Sequence, residues 1–313
     1  MPEPAPEIPA YFREKVKQYF GQTGQTWLQQ APGLLQRCIL DWQLTDMEVS
    51  HELSINLIIF ARSRLYGDVV LKMNTPHPER FTEIRTIQLF AGRGMCRCWA
   101  ADTAGGVLLL ERLRPGSQLK QLPDKDRQLD LATDLISSLP LPAANLDLHG
   151  LPHYSTWLNQ GERLVSGTGV PAGLQDLAHQ AREVYSEITD RHYPQCLLHG
   201  DLHHENILQS TGDRWAVIDP QGVVGSACLE SARFIQNHVV QNPAAEIDTG
   251  ELEKCISCFA AGMQVPPLVI AQSLFVLHVL STCWGWEMHY TPATISRLIQ
   301  ECGQYAGFIR AIA

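Results

Sequence analysis

The stretch LLHGDLHHENIL at residues 197–208 restricts what this chain can be more than any other feature of the sequence. Between two apolar flanks it places three histidines, an aspartate, a glutamate and an asparagine. Such a run could bind a metal, position a general base or shape a turn. A second apolar run, VID, ends at Asp219 before Pro-Gln-Gly, which predicts a strand that stops at a turn.

His199, Asp201, Asn206 and Asp219 follow the phosphotransferase pattern H-x-D-x-x-x-x-N and then D-x-x-G. Phosphoryl transfer needs a carboxylate near the acceptor hydroxyl, a role that Asp201 can take. It also needs oxygen ligands for Mg²⁺, which Asn206 and Asp219 can supply. The alternative is a hydrolytic metal site, because His199, Asp201 and His203 would share one face of a strand.

A lysine and a glutamate upstream fit the same chemistry. Lys72 lies at the end of the predicted strand DVVLKM, and Glu83 lies in the helix predicted to follow it. In kinases a pair of this kind orients the α- and β-phosphates of the nucleotide. Because all these features occur in the order that a kinase needs, we predict a Lys72–Glu83 ion pair.

The formal net charge of −9 argues against nucleic acid as a partner, because binding phosphates requires clustered Lys and Arg. It is compatible with a small cationic substrate. We predict no membrane partner, since the sequence has no run of about 18 uncharged apolar residues. The N-terminal MPEPAPEIPAYFREK lacks the features of a secretory signal, which predicts a cytoplasmic location. The sequence leaves the oligomeric state open.

Nine cysteines are spread along the chain, a pattern typical of reduced and buried thiols. Cys255 and Cys258 form a local pair, C-I-S-C. A zinc site would need two such pairs, or one pair with suitably placed histidines. The pair lies in an apolar segment with helical spacing, ELEKCISCFAAGM, so we predict that it packs in the core.

Hydrophobic periodicity predicts an α+β chain with two lobes. A helical extension at 1–40 precedes a small β-rich lobe at 41–113, which begins with the strand-like ILDWQLT and contains a hairpin of INLIIFARSR and GDVVLKMN. Residues 114–313 form a larger, mostly helical lobe. The very apolar segment 267–290 is predicted to be its buried core helix.

LLHGDLHHENIL and VIDPQGVVG resemble the aminoglycoside phosphotransferases, which share the protein-kinase-like fold. AGRG, LLLERLRPG and STCWGWE are similar to one branch, the aminoglycoside/hydroxyurea antibiotic resistance kinases, which includes streptomycin 6-phosphotransferases. The resemblance extends from about residue 40 to residue 290. It implies a two-lobed kinase-like fold, with a nucleotide-binding N-lobe, a catalytic and substrate-binding C-lobe, and the cofactors ATP and Mg²⁺.

The resemblance also implies roles for single residues. Asp201 would be the catalytic base or would orient the acceptor hydroxyl. Asn206 and Asp219 would hold Mg²⁺. Lys72 and Glu83 would form the pair that binds the phosphates.

For the base of the nucleotide, the resemblance implies a hinge at ERLRPG, where backbone groups near Arg112 and Arg114 would bond adenine. Leu208 and Ile218 would form the apolar floor of the base pocket.

Two departures from the pattern of the family stand out. The first hairpin carries MEVSHELSIN, without the glycine of a phosphate-covering loop, and Glu205 replaces a glycine before Asn206.

The resemblance places the acceptor in the C-lobe facing Asp201, where acidic side chains bind substrate ammonium groups. Trp284 and Glu287 in CWGWEMH are the candidates, because an aromatic face beside a carboxylate suits a cation. The alternative is that the tryptophans close the core and Glu287 is merely solvated. Glu230 and His289 are further candidates for substrate contact.

We therefore predict an ATP- and Mg²⁺-dependent kinase that phosphorylates a hydroxyl of a small cationic molecule. An aminoglycoside such as streptomycin is the leading candidate, which predicts a role in antibiotic inactivation. Transfer would be direct and in line, without a covalent enzyme intermediate. Three alternatives stay open: a metabolic kinase for a sugar or amino alcohol, a nucleotide-binding pseudokinase, and the metal hydrolase.

Overall fold

The computed structural model describes residues 4–77, 79–191, 193–240 and 247–313. The chain forms two compact units, the first from Met1–Gly116 and Gln209–Ile218 and the second from Ser117–Leu208 and Asp219–Ala313. The helices are α1 Ala10–Asp41, α2 Arg80–Phe90, α3 Lys125–Ser138, α4 Tyr154–Leu164, α5 Leu174–Asp190, α6 Ser231–Val239, α7 Thr249–Met263, α8 Pro267–Glu287 and α9 Pro292–Ile312. The strands are β1 Leu44–Val49, β2 Leu57–Ser63, β3 Gly67–Met73, β4 Cys98–Asp102, β5 Val107–Glu111, β6 Leu141–Pro142, β7 Gln195–Leu198, β8 Ile207–Gln209, β9 Trp215–Val217 and β10 Val223–Ser226.

The first unit is built around a five-stranded antiparallel sheet with the order β1-β2-β3-β5-β4. β2 and β3 form the predicted hairpin, in which Ser63 lies opposite Gly67. Alternate side chains such as those of Ile59 and Leu71 enter the core and are fully buried, as the two-residue period of a strand requires. α2 connects β3 to β4.

α1 covers one side of this sheet. Phe12 and Val16 lie in the same hydrophobic cluster as residues of β2 and β3, and the Trp27 Nε1 donates a hydrogen bond to the Asn74 carbonyl at 2.9 Å. The helix runs through Asp41, so the first part of the predicted strand ILDWQLT is helical. A kink at Gly21, with φ of +51°, changes the direction of the helix within α1.

The second unit is mostly helical and contains the small sheet β10-β7-β6. α8 is its central helix, and α4, α5, α6, α7 and α9 contact it. Nearly the whole of α8 is buried. By length and apolar composition α8 is the one candidate membrane span in the described chain, but 83% of its most apolar window is buried inside the protein. It is therefore the core helix that the sequence predicted.

Candidate active site

The loop 199–206 connects β7 to β8 and carries the candidate catalytic residue Asp201 and the candidate Mg²⁺ ligand Asn206. Gly200 begins the loop with φ of +86°, a conformation that favours glycine. The His199 carbonyl accepts hydrogen bonds from the backbone N–H groups of Gln221 and Gly222 at 2.9 and 3.0 Å. The start of the loop is thus tied to the segment that directly follows Asp219.

Asp201 is partly exposed at the start of this loop, with 28% of its side chain accessible. Its Oδ1 lies 3.0 Å from the Arg233 Nε, and its Oδ2 lies 3.8 Å from the His203 Nε2. Its backbone N–H donates to the His199 Nδ1 at 3.2 Å. The carboxylate therefore has a fixed cationic partner on one side and remains accessible to an acceptor hydroxyl.

Asn206 and Asp219 offer the oxygen atoms that Mg²⁺ prefers. The Asn206 Nδ2 donates to the Asp201 carbonyl at 2.9 Å, which orients the amide and leaves its Oδ1 as a possible metal ligand. Asp219 is exposed at the end of the strand-like run and has φ of +59°, an unusual backbone conformation that is frequent at functional sites. An amide oxygen and a carboxylate are a suitable donor set for Mg²⁺.

The buried Glu230 carboxylate binds the backbone at the start of the loop 199–206. It is 3% exposed, and its two carboxylate oxygens accept hydrogen bonds from the backbone N–H groups of His199 at 2.6 Å and Gly200 at 3.1 Å. Burial raises the pKa of Glu230 to about 7, against the opposing effect of these two hydrogen bonds. With both oxygens occupied, Glu230 does not face an acceptor, contrary to the substrate contact expected from the sequence.

The histidines of the loop do not form the alternative hydrolytic metal site. The His199 side chain is fully buried and accepts from the Asp201 backbone. His204 turns away from Asp201, and its Nε2 lies 3.0 Å from the His238 Nδ1; burial lowers its pKa to about 3. Within the described ranges, no three His, Cys, Asp or Glu side chains of this loop come within ligand distance of one another.

In the first unit, Lys72 and Glu83 form a buried ion pair. The Lys72 Nζ lies 2.6 Å from the Glu83 Oε1, and the two side chains are 4% and 6% exposed. The second carboxylate oxygen of Glu83 accepts from the Asn74 Nδ2 at 2.9 Å. A buried pair of this kind is costly to desolvate and needs such added bonds. β3 and α2 thus bring together Lys72 and Glu83, which are separated in the sequence.

Arg112 and Arg114 follow β5 at the predicted hinge. The Arg112 guanidinium lies 4.2 Å from the centre of the Phe60 ring, and the Arg114 Nη2 pairs with the Asp68 Oδ2 at 2.9 Å. The side chains are therefore held by the sheet, and any role toward adenine falls to the backbone. Leu208 and Ile218 are each half-buried.

Trp284 belongs to an aromatic group that contacts the loop 199–206 through Trp157. Its ring lies edge-on to that of Trp157, with ring centres 5.6 Å apart, and Trp157 contacts Tyr154 in turn. A Cβ atom on Gly200 would lie 3.0 Å from Trp157, so this ring packs directly on the loop. Glu287 is exposed one turn beyond Trp284 on α8.

A cavity of about 610 Å³ also opens beside the loop in the second unit. Its charged lining includes Lys120, Lys125 and Glu205, and the Lys120 Nζ bonds the Glu205 Oε1 at 2.6 Å. With two lysines and one glutamate, this cavity is not suited to a cation.

The sequence profile of the aminoglycoside/hydroxyurea antibiotic resistance kinases matches residues 54–288 of this chain. The chain belongs to this family. It is accordingly an enzyme that transfers a phosphoryl group to a hydroxyl group. This conclusion removes the pseudokinase and hydrolase alternatives.

Relatives are 26–29% identical to this kinase over the aligned residues. It is 28% identical to a streptomycin 6-kinase of Streptomyces glaucescens over 70% of this chain and 71% of that protein. It is 29% identical to a hydroxyurea phosphotransferase of Kitasatospora aureofaciens over 72% of this chain and 66% of that protein.

Solved structures confirm the predicted protein-kinase-like fold. A choline/ethanolamine kinase family protein from Mesorhizobium loti has a TM-score of 0.66 at 16% identity, covering 90% of this chain and 94% of that chain. An aminoglycoside phosphotransferase has a TM-score of 0.57 at 15% identity, covering 90% and 99%.

Sequence reasoning missed two residues of this kinase's candidate site, Arg233 and Trp157. Arg233 lies one helical turn after Glu230, in ESARF. Its contact with Asp201 follows from the position of Glu230 under the loop 199–206, which the sequence does not show. Trp157 lies in α4, which carries no motif. Its contact with Gly200 depends on how α4 packs in the second unit.

Proposed function

We propose that this chain is an ATP- and Mg²⁺-dependent kinase that phosphorylates a hydroxyl group of an aminoglycoside and thereby inactivates the antibiotic. The observation that carries the proposal is the loop 199–206, in which Asn206 is bonded to the Asp201 backbone while Arg233 holds the Asp201 carboxylate. The family supplies the reaction type, and the loop supplies groups that suit it.

In this proposal Asp201 accepts a hydrogen bond from the acceptor hydroxyl and takes up its proton as the phosphoryl group is transferred in line. Arg233 keeps the carboxylate oriented. Asn206 and Asp219 would hold Mg²⁺, which neutralises charge on the nucleotide phosphates when bound. Glu230 fixes the backbone from which Asp201 projects, so that the carboxylate meets the acceptor in one orientation.

For the nucleotide, we propose that Lys72, held by Glu83, contacts the α- and β-phosphates. The backbone near Arg112 and Arg114 would bond adenine, and Leu208 and Ile218 would contact the apolar faces of the base. Residues 41–113 would then serve nucleotide binding, and 114–313 catalysis and acceptor binding. Two solved relatives of the fold support a nucleotide, one in complex with AMP and one with ADP and hygromycin B.

For the acceptor, we propose a cation that contacts Trp157, Trp284 and Glu287. Trp157 packs on the loop 199–206 and Trp284 packs on Trp157. The exposed Glu287 carboxylate, one turn beyond Trp284, can pair with a guanidinium or ammonium group. The similarity to a streptomycin 6-kinase and to a streptomycin 3''-kinase supports an aminoglycoside. We propose a cytoplasmic location, where ATP is available.

The proposal is tested by incubating the purified chain with ATP and Mg²⁺ and a panel of acceptors. The panel contains streptomycin, hygromycin B, choline and hydroxyurea, the last because of the hydroxyurea phosphotransferase relative. We expect a product with one added phosphoryl group, detected by mass spectrometry, from streptomycin and not from choline. A product from hydroxyurea or choline alone would contradict the proposed acceptor class.

A further inference from the structure

Three possible metal ligands of different chemistry meet where α6 and α7 pack together. His238 lies near the end of α6, and Glu251 and Cys255 lie one turn apart on the same face of α7. One donor atom from each lies within 4.8 Å of the other two. None of the three has a part in the proposed phosphoryl transfer.

The distance between two of the three ligand atoms fits a shared metal ion. The His238 Nε2 lies 3.1 Å from the Glu251 Oε1. Ligand atoms bound to one Zn²⁺ at its usual bond lengths lie roughly 3 to 4 Å apart. The side chain of His238 is fully buried, Cys255 is buried, and Glu251 remains 28% exposed, which leaves a route by which an ion can enter.

A second contact fixes the His238 ring through its other nitrogen. The His238 Nδ1 lies 3.0 Å from the His204 Nε2, and the two rings are stacked with centres 5.2 Å apart. Histidines that bind metals usually use their second nitrogen in such a bond, which fixes the ring so that the first nitrogen points at the ion. Here His238 presents its Nε2 toward Glu251 and Cys255.

The charges of the cluster also favour a cation. A thiolate at Cys255 beside the Glu251 carboxylate would place two negative charges in a largely buried cluster, which a bound cation would neutralise. Lys254, the adjacent cation, is already paired with Asp126. One divalent ion bound by a thiolate, a carboxylate and a neutral imidazole would leave the buried site without net charge.

We propose that His238, Glu251 and Cys255 bind one Zn²⁺ ion, with a water molecule in the fourth position. Sulfur and imidazole ligands favour zinc over Mg²⁺ or Ca²⁺, so the site is chemically distinct from the one proposed at Asn206 and Asp219. Binding releases the thiol proton and joins α6 to α7. Sequence reasoning assigned C-I-S-C to the core, because the histidine and carboxylate that complete the site lie outside that pair.

The experiment uses the full chain, stripped with a chelator under reducing conditions and titrated with Co²⁺, a spectroscopic substitute for Zn²⁺. We expect one equivalent of Co²⁺ to give the visible bands of tetrahedral cobalt and a thiolate charge-transfer band, all lost on adding Zn²⁺. Cys255→Ser should lose the charge-transfer band. Cys258→Ser, which changes a half-exposed cysteine outside the cluster, should keep it.

Circular dichroism and the melting temperature show whether Cys255→Ser is folded. If it is not, Glu251→Gln replaces it, because that side chain is partly exposed and its loss should weaken Co²⁺ binding at least about tenfold. A wild-type chain without a charge-transfer band would overturn the proposal. So would a band that Cys258→Ser abolishes, or Co²⁺ affinity that Glu251→Gln leaves unchanged.

Discussion

Asp201 and Glu230 are two carboxylates at one loop with different surroundings. Asp201 is partly exposed beside Arg233, whereas Glu230 is fully enclosed and bonded to two backbone N–H groups. Burial and the nearby Asp201 charge both raise the pKa of Glu230, which reaches about 7. The loop is therefore fixed by a carboxyl that changes its charge near neutral pH.

The raised pKa of Glu230 predicts a dependence of stability on pH. The unfolded chain loses this proton near pH 4.5 and the folded chain near pH 7, so the folded state binds more protons in that window. The contribution to the free energy of unfolding is thus complete below the window and falls by up to about 3 kcal/mol as pH rises through it. Urea unfolding across this pH range should show this fall in the free energy of unfolding for wild type and not for Glu230→Gln. Parallel curves for the two proteins would contradict this.

The contact of Arg233 with Asp201 predicts a loss of turnover in Arg233→Ala. Without its partner 3.0 Å away the carboxylate is no longer held in one orientation, and we expect kcat to fall about tenfold or more. Arg233→Lys should recover part of the lost kcat. Steady-state kinetics at saturating ATP measures the effect. Equal activity of Arg233→Ala and wild type would show that the ion pair does not orient Asp201.

At the scale of elements, the sequence predicted those parts whose residues repeat regularly. The β2–β3 hairpin follows from alternating apolar residues bounded by a turn, and α8 from a long run with no polar face. Spacing alone identifies the segment 199–206 as a candidate site, since His199, Asp201 and Asn206 lie close together in the sequence.

Features that depend on tertiary packing could not be predicted in this way. Trp157 reaches the loop because α4 packs on α8, and Glu230 turns inward because the loop offers two backbone donors to a buried carboxylate. The grouping of His238, Glu251 and Cys255 also depends on the packing of α6 against α7. No local pattern encodes them.

The packing of α1 on the first sheet predicts that replacing two of its aromatic residues by alanine changes the free energy of unfolding by different amounts. Phe12 is fully buried in the hydrophobic cluster, whereas Tyr19 is 63% exposed. We expect Phe12→Ala to lower the free energy of unfolding of the first unit by about 3–5 kcal/mol. Tyr19→Ala should change it by about 0.5 kcal/mol or less. Urea unfolding measures both, and similar losses would show that α1 is not part of this core.

At the scale of the whole molecule, the net charge of −9 creates a negative field that attracts cations. We expect the KM for streptomycin to rise several-fold between about 0.05 and 0.5 M NaCl, because salt screens this attraction, while kcat stays nearly constant. Glu287→Gln should reduce the effect of salt. A wild-type KM that does not respond to salt would contradict electrostatic binding of a cationic acceptor.

The most direct test of the catalytic assignment compares two carboxylates in the loop 199–206. We propose that Asp201 contacts the acceptor hydroxyl, whereas Glu205 is exposed and pairs with Lys120. With ATP, Mg²⁺ and streptomycin, Asp201→Asn should lower kcat by about 10²–10⁴-fold, and Glu205→Gln should leave it near wild type. Both variants should keep the wild-type melting temperature. Undiminished phosphate transfer by Asp201→Asn would contradict the mechanism.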